Sequence, residues 1–271
     1  MARDVRPPRT TRTAGGRPTR GPARSHEEIA SLYGWHPVVE ALRNPRRRLR
    51  RLLVTENSAR RLQAEIGALP VPAEIVRADE ISRRVEPDAV HQGLYLEADP
   101  LDGPDIGALE PGMVVLALDQ ITDPHNVGAI VRTAAAFGVG ALITTARHSP
   151  SATGVLAKAA SGGLEHVPFV VVRNLADALI ELGRQSFRRI GLDSSGPETL
   201  RSVSPAPSTV LVLGAEGRGL RQRTRECCDV VARLEMPGAI KSLNVSNAAA
   251  IALYAVTEQR ATPVEGGRTA T

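Results

Sequence analysis

The sequence predicts an α/β protein in which a parallel sheet, covered by helices on both faces, follows a smaller α/β unit. Two observations carry that expectation. From residue 112 onward, short apolar runs at 114–118, 141–144, 167–172, 189–192 and 210–213 alternate with helical segments near 126–137, 153–160, 175–184 and 245–260, the pattern of strands buried on both faces and joined by crossover helices. Ahead of them, the acidic, turn-rich stretch DPLDGPDIGALEP at 99–111 separates this region from what precedes it, and a linker is expected over 100–111. With 42% hydrophobic residues in 271, the chain can bury a core and has room for both units.

Residues 1–25 hold seven arginines against the single Asp4, with Pro, Gly and Thr between them and almost no large apolar side chain. Such a segment cannot offset the entropy of folding, so a disordered basic arm is expected, suited to RNA phosphates or to solubility alone. The net charge of +5 therefore leaves the rest of the chain near neutral, and any nucleic-acid surface there must be a local patch. Aromatic residues make up only 3%, which argues against recognition by ranks of stacking rings.

Residues 26–99 read as the small unit, with a short helix at 38–43, strands at 52–54, 73–76 and 92–96, and a helix at 58–69. Arg46, Arg47, Arg48, Arg50 and Arg51 fall within six positions before the first of those strands. On a loop or helix end they could clamp an RNA backbone, although a solvated face is the usual meaning of such a run. The second unit is expected over 112–262, with a disordered tail at 263–271.

Several classes are excluded. No G-x-G-x-x-G follows the first strand of the second unit, and no P-loop, G-x-S-x-G, H-E-x-x-H or C-x-x-C occurs. Cys227 and Cys228 are adjacent, which is neither a zinc spacing nor a disulfide framework, so no metal is expected and a reducing cytoplasm is the natural setting. No apolar run approaches the roughly 18 residues that span a bilayer, and no membrane association is expected.

Three polar segments follow apolar strands, at the sheet edge where ligands of open α/β folds gather. In LDQITDPHNVGAIVRTAAAFG (118–138), Asn126 stands as the expected N-cap of a helix that carries Arg132 two turns in. In LVLGAEGRGL (211–220), glycines allow backbone to approach a ligand and Glu216 can anchor polar groups or accept a proton. In LEMPGAIKSLNVSNAAA (234–250), Ser242, Asn244, Ser246 and Asn247 crowd one helix start with more hydrogen-bonding groups than capping needs. Alone, each has a bland reading: a salt-bridged arginine, an ordinary turn, an over-capped helix.

Together, in this order and spacing, the three segments resemble the SpoU, or TrmH-type, branch of the SPOUT RNA 2′-O-methyltransferases. Leu32-Tyr33-Gly34 and Val90-His91-Gln92-Gly93 extend the likeness to an L30e-like substrate-binding unit. One departure is Leu234-Glu235-Met236 with its proline at Pro237, where the family carries Ile-Pro-Met. The resemblance implies a C-terminal trefoil knot, a homodimer with its substrate site across the knot interface, and S-adenosylmethionine held near Gly214, Leu234, Met236 and Leu243. It implies transfer of a methyl group to the ribose 2′-OH of a guanosine in large-subunit (23S) rRNA. Arg132 would activate the hydroxyl, with Asn126, Glu216, Asn244 and Ser246 orienting it. Because a guanidinium stays protonated in proteins, stabilising the developing alkoxide suits Arg132 better than acting as a base. Ser242 and Ser246 then read as positioning groups and not as nucleophiles. The alternatives are a tRNA substrate, the rRNA site of thiostrepton resistance, or a non-catalytic RNA-binding assembly protein with this fold.

Overall fold

A computed structural model describes residues 29–147 and 154–261. The expected arm at 1–25, the tail at 263–271 and the first residue of the expected helix at 153–160 lie outside them. The first unit is a four-stranded sheet of β1 (Ala30–Tyr33), β2 (Leu49–Val54), β3 (Ala73–Ile75) and β4 (Leu94–Ala98) in the order β1-β4-β2-β3, with α1 (Trp35–Arg43), α2 (Glu56–Ile66) and the single turn α3 (Ala78–Ser82). β1 and α3 are additions to the elements expected from the sequence. β1 is four residues long and meets only β4, antiparallel, so nothing local but its apolar content marks it.

The second unit is a seven-stranded, all-parallel sheet: β5 (Val114–Asp119), β6 (Ala141–Thr145), β7 (Phe169–Val172), β8 (Arg188–Leu192), β9 (Glu198–Thr199), β10 (Thr209–Gly214) and β11 (Val230–Arg233). Its order is β7-β6-β5-β10-β8-β11-β9. Alternate residues of β5 explain why helices cover both faces. Val114, Leu116 and Leu118 point into a core with Val127, Ile130 and Val131 of α4 (Pro124–Ala136), Leu156 of α5 (Gly154–Ala160), and Ala249, Ala252 and Leu253 of α8 (Val245–Ala261). Val115 and Ala117 face Leu175, Leu179 and Leu182 of α6 (Leu175–Arg184), beside Cys227, which ends the single turn α7 (Gln222–Glu226). Each such buried leucine contributes about 2 kcal/mol. Among the described residues no helix is long and apolar enough to cross a membrane.

The two units share a core. Ala157 of α5 is buried among Leu32, Trp35, Val38 and Leu42 of the first unit. Backbone contact here is close: a Cβ on Gly154 would stand 2.2 Å from the Tyr33 ring, so only glycine fits. Beside this seam, Arg47 is buried and ion-paired with Glu165, donating from Nε at 3.2 Å and also from Nη2. Asn44 Nδ2 donates to the same carboxylate at 2.7 Å, and Arg47 Nη1 reaches the Asp99 carbonyl at 2.9 Å.

That finding corrects the reading of the arginine run. Arg50 and Arg51 lie within β2 and not before it, and they pair with Asp99 and Glu74. Arg47 is buried, its side chain only 4% exposed, so its guanidinium is not offered to RNA. Arg48, 84% exposed, stands only loosely against Asp99 at 3.6 Å, and Arg46 is exposed with one bond to the Glu165 carbonyl. The acids that absorb the run are distant in sequence, which hides them from a local reading.

Breaking a buried pair by deleting one partner leaves the other charge uncompensated. Arg47→Ala should therefore destabilise the protein by about 3–5 kcal/mol, read as a lowered midpoint of urea unfolding. A change within experimental error would show that the pair does not hold the units together.

Candidate active site

β5, β6 and β7 are laid down in sequence to one side, and the chain then crosses to the far side for β8 before β10 inserts between β5 and β8. The sheet thus reverses direction at β5/β10, the switch point where open α/β folds leave a crevice beyond the strand ends. All three polar segments open there.

The loop that follows β10 is folded tightly back on itself. Ala215 and Gly219 form an antiparallel bridge, and a Cβ on Gly214 would stand 2.3 Å from the Gly219 carbonyl carbon. Two carboxylates from neighbouring strand ends hold this loop. Asp119, buried at the end of β5, accepts from Arg221 N at 2.9 Å and Arg221 Nε at 2.6 Å. Asp193, just past β8, accepts from Leu220 N at 3.3 Å and from Ser195 N and Oγ at 2.9 and 2.6 Å. Burial opposes ionisation of Asp193, but the hydrogen bonds from Ser195 and Leu220 outweigh it and hold its pKa below the usual carboxylate range. Both acids end an apolar strand, VVLALD and RRIGLD. That repeated signal is visible in the sequence, although neither acid is among the site residues expected from it.

α4 is capped by Asp123 and not by Asn126. The Asp123 side chain accepts from His125 N at 3.0 Å, and Pro124 occupies the first helical position, where no N–H is needed. Asn126 is thereby free to meet the third segment, and its Oδ1 accepts from Asn244 Nδ2 at 2.8 Å. Asn244 does the capping at α8: its Oδ1 accepts from Ser246 N at 2.9 Å and Ser246 Oγ at 2.5 Å. Glu216 closes the set by accepting from Val245 N at 2.9 Å. Four of the five expected polar residues, from three loops, are thus bonded into one cluster.

Arg132 stands apart from it. It is exposed on α4 and makes no hydrogen bond or ion pair with any other described residue. Gly214 ends β10. Leu234 is half-buried against the core, Met236 is half-buried with its carbonyl receiving Lys241 Nζ at 2.6 Å, and Leu243 is 39% exposed. The main-chain groups of residues 237–243 make no hydrogen bond to any other described residue. Solvent-exposed amides and carbonyls with no partner among the described residues, beside half-exposed apolar side chains, suit a ligand with a flat heterocycle and an amino-acid tail, so the site fits S-adenosylmethionine. The cysteines play no such part. Burial foremost, then Cys227, pushes the Cys228 thiol up to about 12, and its Sγ donates to the Thr224 carbonyl.

Comparison with known proteins identifies the chain as an RNA ribose methyltransferase. Residues 113–254 match the model of the SpoU rRNA Methylase family, and residues 31–104 match that of RNA 2′-O ribose methyltransferase substrate binding. The chain belongs to the SpoU rRNA methylase family. It is 36% identical to the 23S rRNA (guanosine-2′-O-)-methyltransferase RlmB of Pseudomonas aeruginosa over 86% of this chain and 98% of that one. Among solved structures, a TrmH-family protein from Porphyromonas gingivalis aligns with a TM-score of 0.70 at 26% identity, over 85% of this chain and 90% of that one. The SpoU methyltransferase AviRb from Streptomyces viridochromogenes, solved with AdoMet, shares the fold at a TM-score of 0.72 and 23% identity, over 86% and 90%.

Because the folded pKa of Asp193 is depressed, its contribution to stability is present above the unfolded carboxylate pKa and is lost as pH falls through the folded value. Asp193→Asn should therefore lower the thermal midpoint at pH 7, and the gap to wild type should close as pH falls below about 4. Midpoints that stay equally separated across that range would remove Asp193 as an ionic anchor.

Proposed function

We propose that the protein methylates the ribose 2′-OH of a guanosine in 23S rRNA, with S-adenosylmethionine as donor, and that it acts as a homodimer in the cytoplasm. The observation that carries this reading is the cluster of Asn126, Asn244, Ser246 and Glu216, drawn from three loops at one switch point in a chain of this family. S-adenosylmethionine supplies an electrophilic methyl group. The residues of the chain hold it and prepare the acceptor. Gly214, Leu234, Met236 and Leu243 flank the site with apolar surface and open main chain. Asn126 and Asn244 fix the two helix starts against each other, and Glu216 locks α8 to the loop after β10. This is the positioning that a methyl transfer in line with its leaving group requires.

Arg132 is assigned to the developing alkoxide, as a fixed positive charge near the ribose oxygen. Its lack of any partner among the described residues is expected of a side chain that serves RNA or the site of a second protomer. α8 supports the dimer. It buries Val245, Ala249, Ala252, Leu253 and Val256 on one side and exposes Ile251 and Tyr254 on the other, where Tyr254 stands edge-on to Phe137, just past the end of α4, with ring centroids 6.4 Å apart. Ile240 and Leu243 add exposed apolar surface in the preceding loop. The segments after β10 and β11 are where the trefoil crossing would lie.

In a strain lacking this protein, mapping of ribose methylation should show one guanosine mark missing from 23S rRNA, restored by the purified enzyme. Arg132→Ala should fail to restore it, with turnover reduced on the order of a hundredfold or more and calorimetric affinity for S-adenosylmethionine unchanged. Full turnover by that variant would sink the role given to Arg132, and loss of no mark would sink the substrate.

If α8 forms the dimer face, placing a charge there leaves it unpaired and desolvated in the interface. Ile251→Glu should sediment as a folded monomer without methyltransferase activity. A dimer that survives the substitution would move the interface elsewhere.

A further inference from the structure

Beside the switch point, on the side away from β8 and β11, the ends of β6 and β7 border a basin of about 500 Å³. Three arginines line it: Arg147 after β6, Arg173 between β7 and α6, and Arg221 from the loop after β10. We propose that this basin binds a phosphodiester of the RNA substrate at a distance from the methyl-accepting ribose, an inference that rests on the reading of the protein as an RNA methyltransferase.

The lining offers donors with little to answer them. Arg147 and Arg173 are exposed and make no hydrogen bond or ion pair with any other described residue. That sets them apart from the surface arginines Arg60, Arg83 and Arg184, each paired with an acid three or four residues away. Arg221 is held rigidly by Asp119 through its main-chain N and Nε, which leaves the outer nitrogens of its guanidinium for a ligand. Asn174 caps α6 with its Oδ1 accepting from Ala176 N at 2.9 Å, so its amide nitrogen is a further donor. The ten-residue helix behind it adds first-turn N–H groups and the positive end of its dipole. Guanidinium forks and a helix start are the groups that suit a phosphate.

Asp119 is buried and matched to Arg221, and Asp177 in the first turn of α6 is exposed and forms no ion pair with Arg147 or Arg173, so neither acid neutralises the other two cations. β7 lies three strands from β10, roughly 14 Å along the sheet edge at ordinary strand spacing. A single RNA strand laid along that edge could place its target ribose at the β5/β10 crevice and a flanking phosphate in the basin. Arg147, Arg173 and Arg221 would then fix the direction and register of the strand.

The test uses the full chain carrying Arg147→Ala and Arg173→Ala together, with Arg184→Ala as the baseline for removal of one surface charge. Both substituted side chains are exposed, so folding is not at stake. Binding to a 23S rRNA fragment is measured by fluorescence anisotropy across a salt series, alongside steady-state methylation and calorimetry with S-adenosylmethionine. The double variant should weaken RNA binding and raise the KM for RNA on the order of ten- to a hundredfold. The slope of log affinity against log salt should flatten by about 0.7 for each phosphate that is no longer neutralised. Turnover at saturating RNA and affinity for S-adenosylmethionine should stay at wild-type values, and replacing both arginines by Lys should restore the salt slope. RNA affinity and slope equal to those of Arg184→Ala would overturn the proposal, as would a parallel drop in affinity for S-adenosylmethionine, which would assign the basin to the cofactor. A wild-type chain that binds this RNA but methylates no site would overturn the proposed activity while the salt series still decides the basin. One that binds no RNA would overturn both.

Discussion

The placement of β10 between β5 and β8 is the constraint on which the rest depends. A strand late in the sequence lies in the middle of the sheet, between two strands that precede it in the chain, and pairs in register from Thr209 with Val114 to Gly214 with Asp119. Because Val210, Leu211 and Val212 are fully buried between two helix layers, a slip of one residue would turn each to the wrong face. That register sets the loop after β10 beside the end of β5, where Asp119 can hold Arg221 and the start of α4 can meet the start of α8. The polar cluster is therefore a consequence of strand order, assembled by apolar packing and only then refined by hydrogen bonds.

The same logic extends to the first unit. Its core takes in Ala157 of α5, and its buried Arg47 answers Glu165, just past α5. A buried ion pair adds little net stability over an apolar contact of the same shape, but it penalises every arrangement that leaves either charge alone. With Asn44 on the same carboxylate, the pair admits few orientations of the small unit against α5. α5 packs in turn on α4, the helix that carries Asn126 and Arg132. A unit built to engage RNA is thus seated on the helix that leads to the reacting edge.

Much of this is legible in the sequence. The alternation of apolar runs and helices marks the five long strands and four main helices of the second unit to within a few residues, since strands buried on both faces leave an unbroken apolar signature. β9 is a two-residue edge strand that leaves none, and β11, lying between β8 and β9, keeps only Ala232 fully buried. Asn126 reads locally as the cap of its helix. Asp123 and Pro124 do that work instead, and the side chain so released is the one that reaches Asn244. The arginine run misleads for a different reason: Glu165, Asp99 and Glu74 lie far along the chain, and no local rule reveals which cation a distant acid will claim.

The same partition of charges governs the electrostatics of the sheet edge. Three of its acids are engaged by main-chain amides: Asp119 by Arg221 N, Asp193 by Ser195 and Leu220 N, and Glu216 by Val245 N. A carboxylate that accepts from backbone N–H groups is fixed in position, so these three shape loops, and at Asp193 such bonds also hold the pKa below the usual carboxylate range. Arg132, Arg147 and Arg173, by contrast, have no partner among the described residues. The edge therefore presents engaged acids and open cations, although the chain beyond the basic arm is nearly neutral in sum. A polyanion would find its attraction concentrated there, on either side of the one crevice where a ribose and a methyl donor could meet.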